Sequence, residues 1–225
     1  MEKFVNDRFC DDIDGSSYKH IHERLVLNTL KYLWEHIETK LENYTMFDEK
    51  REGEYKMWHA DNGQLWVRCV YLNGNRYGEY KNWYKNGQLS DQCTYINDKL
   101  EGEYMNWHGN GQMRKQCIYL NGKLHGECKI WYRNGRPLSQ CLYVNNKIEG
   151  EYKCWYGEGQ MFSQCVYSND KREGEYKSWH VNGQLWMRHV YLNGKRKDTC
   201  EVWSKDGQLS DQCTYINDKL EGEYE

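Results

Sequence analysis

The residues of this chain whose types could do chemistry are its ten cysteines and eight histidines. Six cysteines stand in one column at multiples of 24 residues, Cys69, Cys93, Cys117, Cys141, Cys165 and Cys213, and His189 takes the remaining place. Thiolate and imidazole are zinc ligands, so a zinc array is the first chemistry to test. If a 24-residue period is a pair of strands, neighbours in the column lie ~9.5 Å apart. Sulfurs that far apart share no tetrahedral ion with bonds near 2.3 Å and cannot be bridged as disulfides. Cys-x-x-Cys is absent from the sequence. The column therefore reads as small buried hydrophobes in a reducing compartment, with no metal and no cofactor. Two further cysteines differ. Cys128 lies 13 residues before Cys141, and Cys200 lies 13 residues before Cys213. A two-residue turn at Asn134-Gly135 places Cys128 opposite Cys141, and the same register places Cys200 opposite Cys213. Facing residues are within disulfide reach. Both pairs could oxidise; the alternative is that the exchange serves packing alone, since the usual facing residue is Tyr, as Tyr80 opposite Cys93.

The other reactive types form no constellation. His59, His108 and His180 share a column with Tyr84, Tyr132 and Tyr156, which reads as surface exchange of one ring for another rather than an acid–base row. Paired carboxylates such as Glu101 and Glu103 recur with the repeat, whereas general acid–base catalysis needs one asymmetric pair. Gly109-Asn110-Gly111 is a turn and not a phosphate loop, because no helix follows it. With no nucleophile–base arrangement in view, no catalytic residue is assigned and the chain reads as a non-enzyme.

The columns themselves set the architecture. Gly-Glu-Tyr opens units at Gly53, Gly78, Gly102, Gly150 and Gly174, and Gly126-Glu127-Cys128 and Asp198-Thr199-Cys200 open two more. The spacing is 24 except for the first, 25, whose extra residue lies in His59-Ala60-Asp61. Trp58, Trp83, Trp107, Trp131, Trp155, Trp179 and Trp203 form one invariant column, and Tyr71, Tyr95, Tyr119, Tyr143, Tyr167, Tyr191 and Tyr215 another. Residues 87–104 are identical to residues 207–224, so a block of five units has been duplicated.

Each unit carries two turn signals, one at Asn86-Gly87 and its equivalents, the other at Asn121-Gly122, with Asn-Asp or Asn-Asn in several units. Asn-Gly favours type I′ hairpins, which need positive φ at both central residues. Two strands per unit predict about 14 strands in an up-and-down antiparallel meander. Alternation puts Leu89, Cys93 and Tyr95 on one face and Thr94 and Ile96 on the other. Two-residue turns alone give registers that disagree by two residues per unit, and a bulge near the opening Gly would reconcile them. Residues 1–50 differ from the array over 51–225, which holds seven units and a partial eighth. From Ser16 to about Tyr44 a stripe of Ile21, Leu25, Val26, Leu30, Leu33, Ile37 and Leu41 predicts a helix. It would cap an exposed edge of the sheet or dock a partner.

Composition narrows the class. Aromatics make up 15% of the chain, with 20 Tyr and 10 Trp, while mean hydropathy is −1.08. Rings with wet polar tips suit a thin sheet with little interior, and disordered chains lack them. Net charge is −3 with the signs mixed, so the footprint of a nucleic-acid binder is missing. No apolar run approaches the length of a membrane helix and the first residues are not a signal peptide, which predicts an intracellular, cytoplasmic protein.

The pattern Gly-Glu-Tyr-Lys-x-Trp-Tyr-x-Asn-Gly-Gln-Leu, followed by Tyr-x-Asn-Gly-Lys, resembles the MORN repeat in its variant form, over residues 53–225. That form is also found in bacterial proteins named as antitoxins, and units this uniform are similar to MORN-repeat proteins of amoeba-infecting giant viruses. The resemblance implies an elongated, twisted single-layer sheet of hairpins with roles in scaffolding and protein binding, and no catalytic residue to carry over. A structural scaffold or protein-interaction module is the expected function, with a virion or host-interaction setting if the source is viral. A protein partner would meet the exposed aromatic ladder or the N-terminal helix, and sheet edges could pair between chains. A membrane-surface tether reading anionic lipid and an antitoxin-like immunity protein are the alternatives. The tether is disfavoured because Glu54, Glu79, Glu127, Glu151 and Glu175 share a face with Lys56, Lys81, Lys129, Lys153 and Lys177. Departures from the pattern put local packing in question at Cys128, Cys200, Asp198 and Pro137.

Overall fold

The computed structural model describes residues 45–47 and 50–221. The expected helix over residues 16–44, and its role as cap or docking segment, lie outside the described residues. The rest is strand and turn. In chain order the strands are β1 (Thr45–Phe47), β2 (Lys50–Trp58), β3 (Leu65–Leu72), β4 (Asn75–Arg76), β5 (Gly78–Trp83), β6 (Leu89–Ile96), β7 (Lys99–Trp107), β8 (Met113–Leu120) and β9 (Lys123–Trp131). They continue with β10 (Pro137–Val144), β11 (Lys147–Trp155), β12 (Met161–Ser168), β13 (Lys171–Trp179), β14 (Leu185–Leu192), β15 (Lys195–Trp203), β16 (Leu209–Ile216) and β17 (Lys219–Glu221). Successive strands pair antiparallel in a single open meander, with β4 and β5 as two halves of one arm interrupted at Tyr77.

The two turns of a unit differ in kind. At Asn121-Gly122 the φ values are 52° and 78°, and at Asn97-Asp98 they are 50° and 63°, the paired positive φ of a two-residue type I′ turn. The Asn-Gly of the other turn does not form one, contrary to expectation. There the loop is three residues long: Tyr132 N donates to Arg136 O at 2.8 Å, Gly135 N donates to Tyr132 O at 2.9 Å, and only Gly135, at φ 81°, is left-handed. This is a type I turn closed by a glycine bulge. Where Asn stands in the loop its Oδ1 accepts from the backbone N–H two residues on, as Asn134 does from Arg136 at 3.0 Å, and the same loop also forms around Glu158, where Tyr156 N donates to Gln160 O at 2.9 Å. In the first unit the corresponding loop runs from His59 to Gln64, one residue longer, which absorbs the 25-residue spacing.

Two irregularities then set the register. Opposite the Trp position one residue of the following strand is extra, so that Trp83 faces Leu89 while Asn82 faces Asp91 and Ser90 is bulged. This bulge restores the register that a two-residue turn would have given, and Tyr80 faces Cys93 as expected. At the opening Gly, residues 102–104 together face the single residue Cys93, between the pairs Thr94–Glu101 and Gln92–Met105. Gly102 there has φ 74°, a conformation open to Gly at no steric cost. Asp198, which replaces that Gly in its unit, takes the same conformation at φ 75°. Pro137 begins β10 facing Trp131, and Leu138 is the bulged residue there, so pairing survives.

A single layer buries mostly small side chains, with Ile148 and His189 as the larger exceptions among the described residues. The buried set among the described residues includes Cys69, Cys93, Cys117, Cys141 and Cys165, together with Ser90, Ser163, Ser178 and His189. The rings of Tyr119, Tyr143, Tyr152 and Tyr167 pack over the central cysteines.

Candidate functional site

The seam between consecutive units is built from three side-chain devices. A ring in the column after Trp reaches the Trp carbonyl of the next unit: Tyr84, Tyr132 and Tyr156 hydroxyls donate to Trp107, Trp155 and Trp179 at 2.6, 2.8 and 2.9 Å. His59, His108 and His180 place Nε2 at 3.2, 3.0 and 2.8 Å from the carbonyls of Trp83, Trp131 and Trp203. With a carbonyl as partner, Nε2 must carry the hydrogen. These rings are half-buried seam elements rather than surface substitutions. The loop Asn adds a second link, its amide donating to the next loop, as Asn86 to Gly109 O at 2.9 Å and Asn134 to Gly157 O at 2.9 Å. On the opposite edge the second residue of the type I′ turn accepts from the preceding unit: Asp98 from Arg76 N at 3.1 Å, Asn146 from Leu124 N at 2.7 Å, Asp170 from Ile148 N at 2.6 Å. The carboxylate of Glu101 accepts from Asn121 N at 2.7 Å, so the first carboxylate of the recurring pair is a turn acceptor, whereas the second, Glu103, accepts from the Gln116 side-chain amide.

One face of the sheet carries tyrosine and cysteine. Tyr55–Tyr71, Tyr80–Tyr95, Tyr104–Tyr119 and Tyr152–Tyr167 meet edge to face at 5.6–5.9 Å, the arrangement the ring quadrupole favours. Guanidinium groups lie over several rings, Arg76 at 4.0 Å from Tyr95 and Arg196 at 4.0 Å from Tyr215. Burial pushes the Cys93 thiol up to about 12, and the Cys141 and Cys165 thiols up to about 11. Thiols so protonated are poor nucleophiles and poor ligands. The Trp and Tyr columns are half-buried throughout, which corrects the expectation of an exposed aromatic ladder.

The opposite face is wet and patterned. Lys56, Lys81, Lys129, Lys153 and Lys177 each pair with the Glu two residues earlier at 2.6–2.7 Å. Lys56 and Arg68 hold the Glu54 carboxyl below its ordinary value. Beside these pairs stand exposed aliphatic side chains at one and three residues beyond the cysteine column. They include Leu72, Ile96, Ile118, Leu120, Leu142 and Val166, 41–46% exposed. The alternation that set Thr94 and Ile96 opposite Cys93 was the signal for this row. The aromatic columns drew attention away from it.

The four cysteines singled out by sequence stand as follows. Cys128 faces Cys141 across β9–β10 and also Cys117 across β8–β9. Its disulfide is to Cys117, and Cys141 is a free buried thiol. The second partner was overlooked because the column was treated only within its own hairpin. Cys200 faces Cys213 as expected, and both thiols are free. Cys200 Sγ lies 3.7 Å from His189 Nε2 on the neighbouring strand. Among the described residues no group of three His, Cys, Asp or Glu side chains could hold a metal ion, and no helix is long and apolar enough to cross a membrane.

Comparison with known proteins returns one family. The model described as MORN repeat variant matches residues 76–97, 100–121, 124–145, 148–169 and 172–195. No curated protein matches. Among solved structures the chain is similar to S. aureus TarM in complex with fondaparinux, alpha-GlcNAc-glycerol and UDP, at 15% identity and TM-score 0.29, covering 53% of this chain and 23% of that one. A GtfA/B complex bound to UDP and GlcNAc matches at 9% identity and TM-score 0.15, covering 78% of this chain and 27% of that one. The chain thus spans about a quarter of the length of the structures it matches, and at these TM-scores the likeness carries no argument.

Proposed function

This chain belongs to the MORN-repeat variant family, and from that premise we propose that it is a non-enzymatic scaffold that binds another protein through the aliphatic row of its open face. MORN repeats are in general interaction modules for proteins or membranes. The observation that carries the reading is the division of labour between the faces. Tyrosine, cysteine and the seam rings spend their contacts on the array itself, whereas Ile118, Leu120, Leu142 and Val166 stand out in solvent at 43–46% exposure. Apolar side chains repeated along one face of a soluble sheet mark an interaction surface. The flanking lysines support a protein partner over an anionic membrane, because each is already paired with a glutamate and offers little net charge to lipid. Seven free thiols among the described cysteines support a reducing, intracellular setting, with Cys117–Cys128 as the exception.

The test is one doubly substituted variant. Leu120→Lys with Leu142→Lys changes only exposed positions, so stability should hold within ~0.5 kcal/mol. Proteins that co-purify with the unmodified chain should be lost from this variant. Retention of all of them would refute the assigned face. Salt-sensitive sedimentation with anionic vesicles would favour the membrane reading instead.

A further inference from the structure

Cysteine replaces the usual Tyr at this strand position in two units, and the two exchanges end differently. In the first, Cys128 has a sulfur on each side, Cys117 on the preceding strand and Cys141 on the following one. It is bonded to the preceding one. In the second, the preceding strand offers His189 in place of the column's cysteine, with Nε2 3.7 Å from Cys200 Sγ. The following strand offers Cys213, directly in register with Cys200. We propose that Cys200 and Cys213 form an oxidisable dithiol, and that His189, by filling the slot of a competing sulfur, directs the bond forward to Cys213.

Accessibility orders the two thiols. Cys200 is buried at 4% exposure, whereas Cys213 is partly open to solvent. Burial first, and the neighbouring Cys213 second, push the Cys200 thiol up to about 12, so the attacking group in the first step is Cys213. With a peroxide as oxidant, the Cys213 thiolate takes one oxygen, the O–O bond breaks, and water or an alcohol leaves. The resulting sulfenic acid is then attacked by the Cys200 sulfur. The S–S bond forms, the S–O bond breaks, and the hydroxyl leaves as water with the Cys200 proton. Two thiols lose two electrons and one peroxide gains them. The product joins β15 to β16 within one hairpin, where Cys117–Cys128 joins two units.

The experiment uses the full chain, reduced and then exposed to hydrogen peroxide, alkylated and digested with trypsin without reduction. Cleavage after Lys197, Lys205 and Lys219 puts Cys200 and Cys213 on separate peptides. The expected product is that peptide pair linked, lighter by the two thiol hydrogens. In Cys200→Ser, Cys213 should stall as a sulfenic acid that dimedone traps. In His189→Cys, the link should move to the peptides carrying positions 189 and 200, as at Cys117 and Cys128. Cys213 carried on to sulfinic acid in the unmodified chain, with Cys200 still open to alkylation, would overturn the dithiol. An unchanged Cys200–Cys213 link in His189→Cys would overturn the directing role of His189.

Discussion

His189 shows how one side chain in a thin sheet depends on its neighbours. It is 6% exposed, and burial, with Arg196 and Arg172 nearby, lowers its pKa from 6.5 to about 4. The folded state therefore holds the neutral ring, and protonation favours the unfolded chain. The contribution is complete above about pH 6.5 and is lost as pH falls towards 4, amounting to about 3 kcal/mol. Unfolding free energies measured from pH 7.5 to 4 should show this slope, and His189→Gln should flatten it. A second residue-scale test concerns the seam. Tyr132→Phe removes the donor to the Trp155 carbonyl and should cost ~1 kcal/mol in chemical denaturation. The sequence had marked this column as one ring exchanged for another. That both ring types carry a donor able to reach the next unit's backbone is visible only when the units are side by side.

At the level of the element, hairpins and bulges divide the legible from the illegible. The type I′ turns could be read from Asn-Gly and Asn-Asp, because only left-handed-tolerant residues fit there. The other Asn-Gly was misread because this turn needs only its Gly left-handed: the same loop forms around Glu158 and Gly159, and where Asn is present its carboxamide adds a bond within the loop, as Asn134 does with Arg136 N. Register came out right because the longer bend and the bulge at Ser90 or its equivalents compensate each other. The bulge at the opening Gly was legible from the mismatch between successive turns. Its tolerance of Asp198 was not, since an Asp at φ 75° depends on local bonding, here its Oδ1 accepting from Thr199 N at 3.1 Å. Asp198→Gly should relieve the left-handed strain and stabilise the chain by ~1 kcal/mol, read as a higher midpoint in urea. A lower midpoint would show that the Asp198–Thr199 bond outweighs the strain.

The array as a whole is a chain of nearest-neighbour contacts. Strand pairs with following strand throughout the described residues, and the seams use the same devices from unit to unit. Stability should then be close to a sum over units and seams. The repeat was legible at this scale because every column is tied to a position the fold cannot vary freely: Gly at left-handed φ, Cys beneath rings, Asn at turns. The proposed binding face was not, because exposed aliphatic side chains on a strand look like core until no second layer is found against them among the described residues.

The most direct test of unit-by-unit assembly is removal of one register-complete unit, residues 147–170, which places β13 beside β10 and rejoins the chain at a type I′ turn. Guanidinium unfolding followed by circular dichroism should keep a single cooperative β-to-coil transition, with the m-value and the free energy each reduced by about a seventh. A variant that loses its β signal, or keeps its full m-value, would contradict the account.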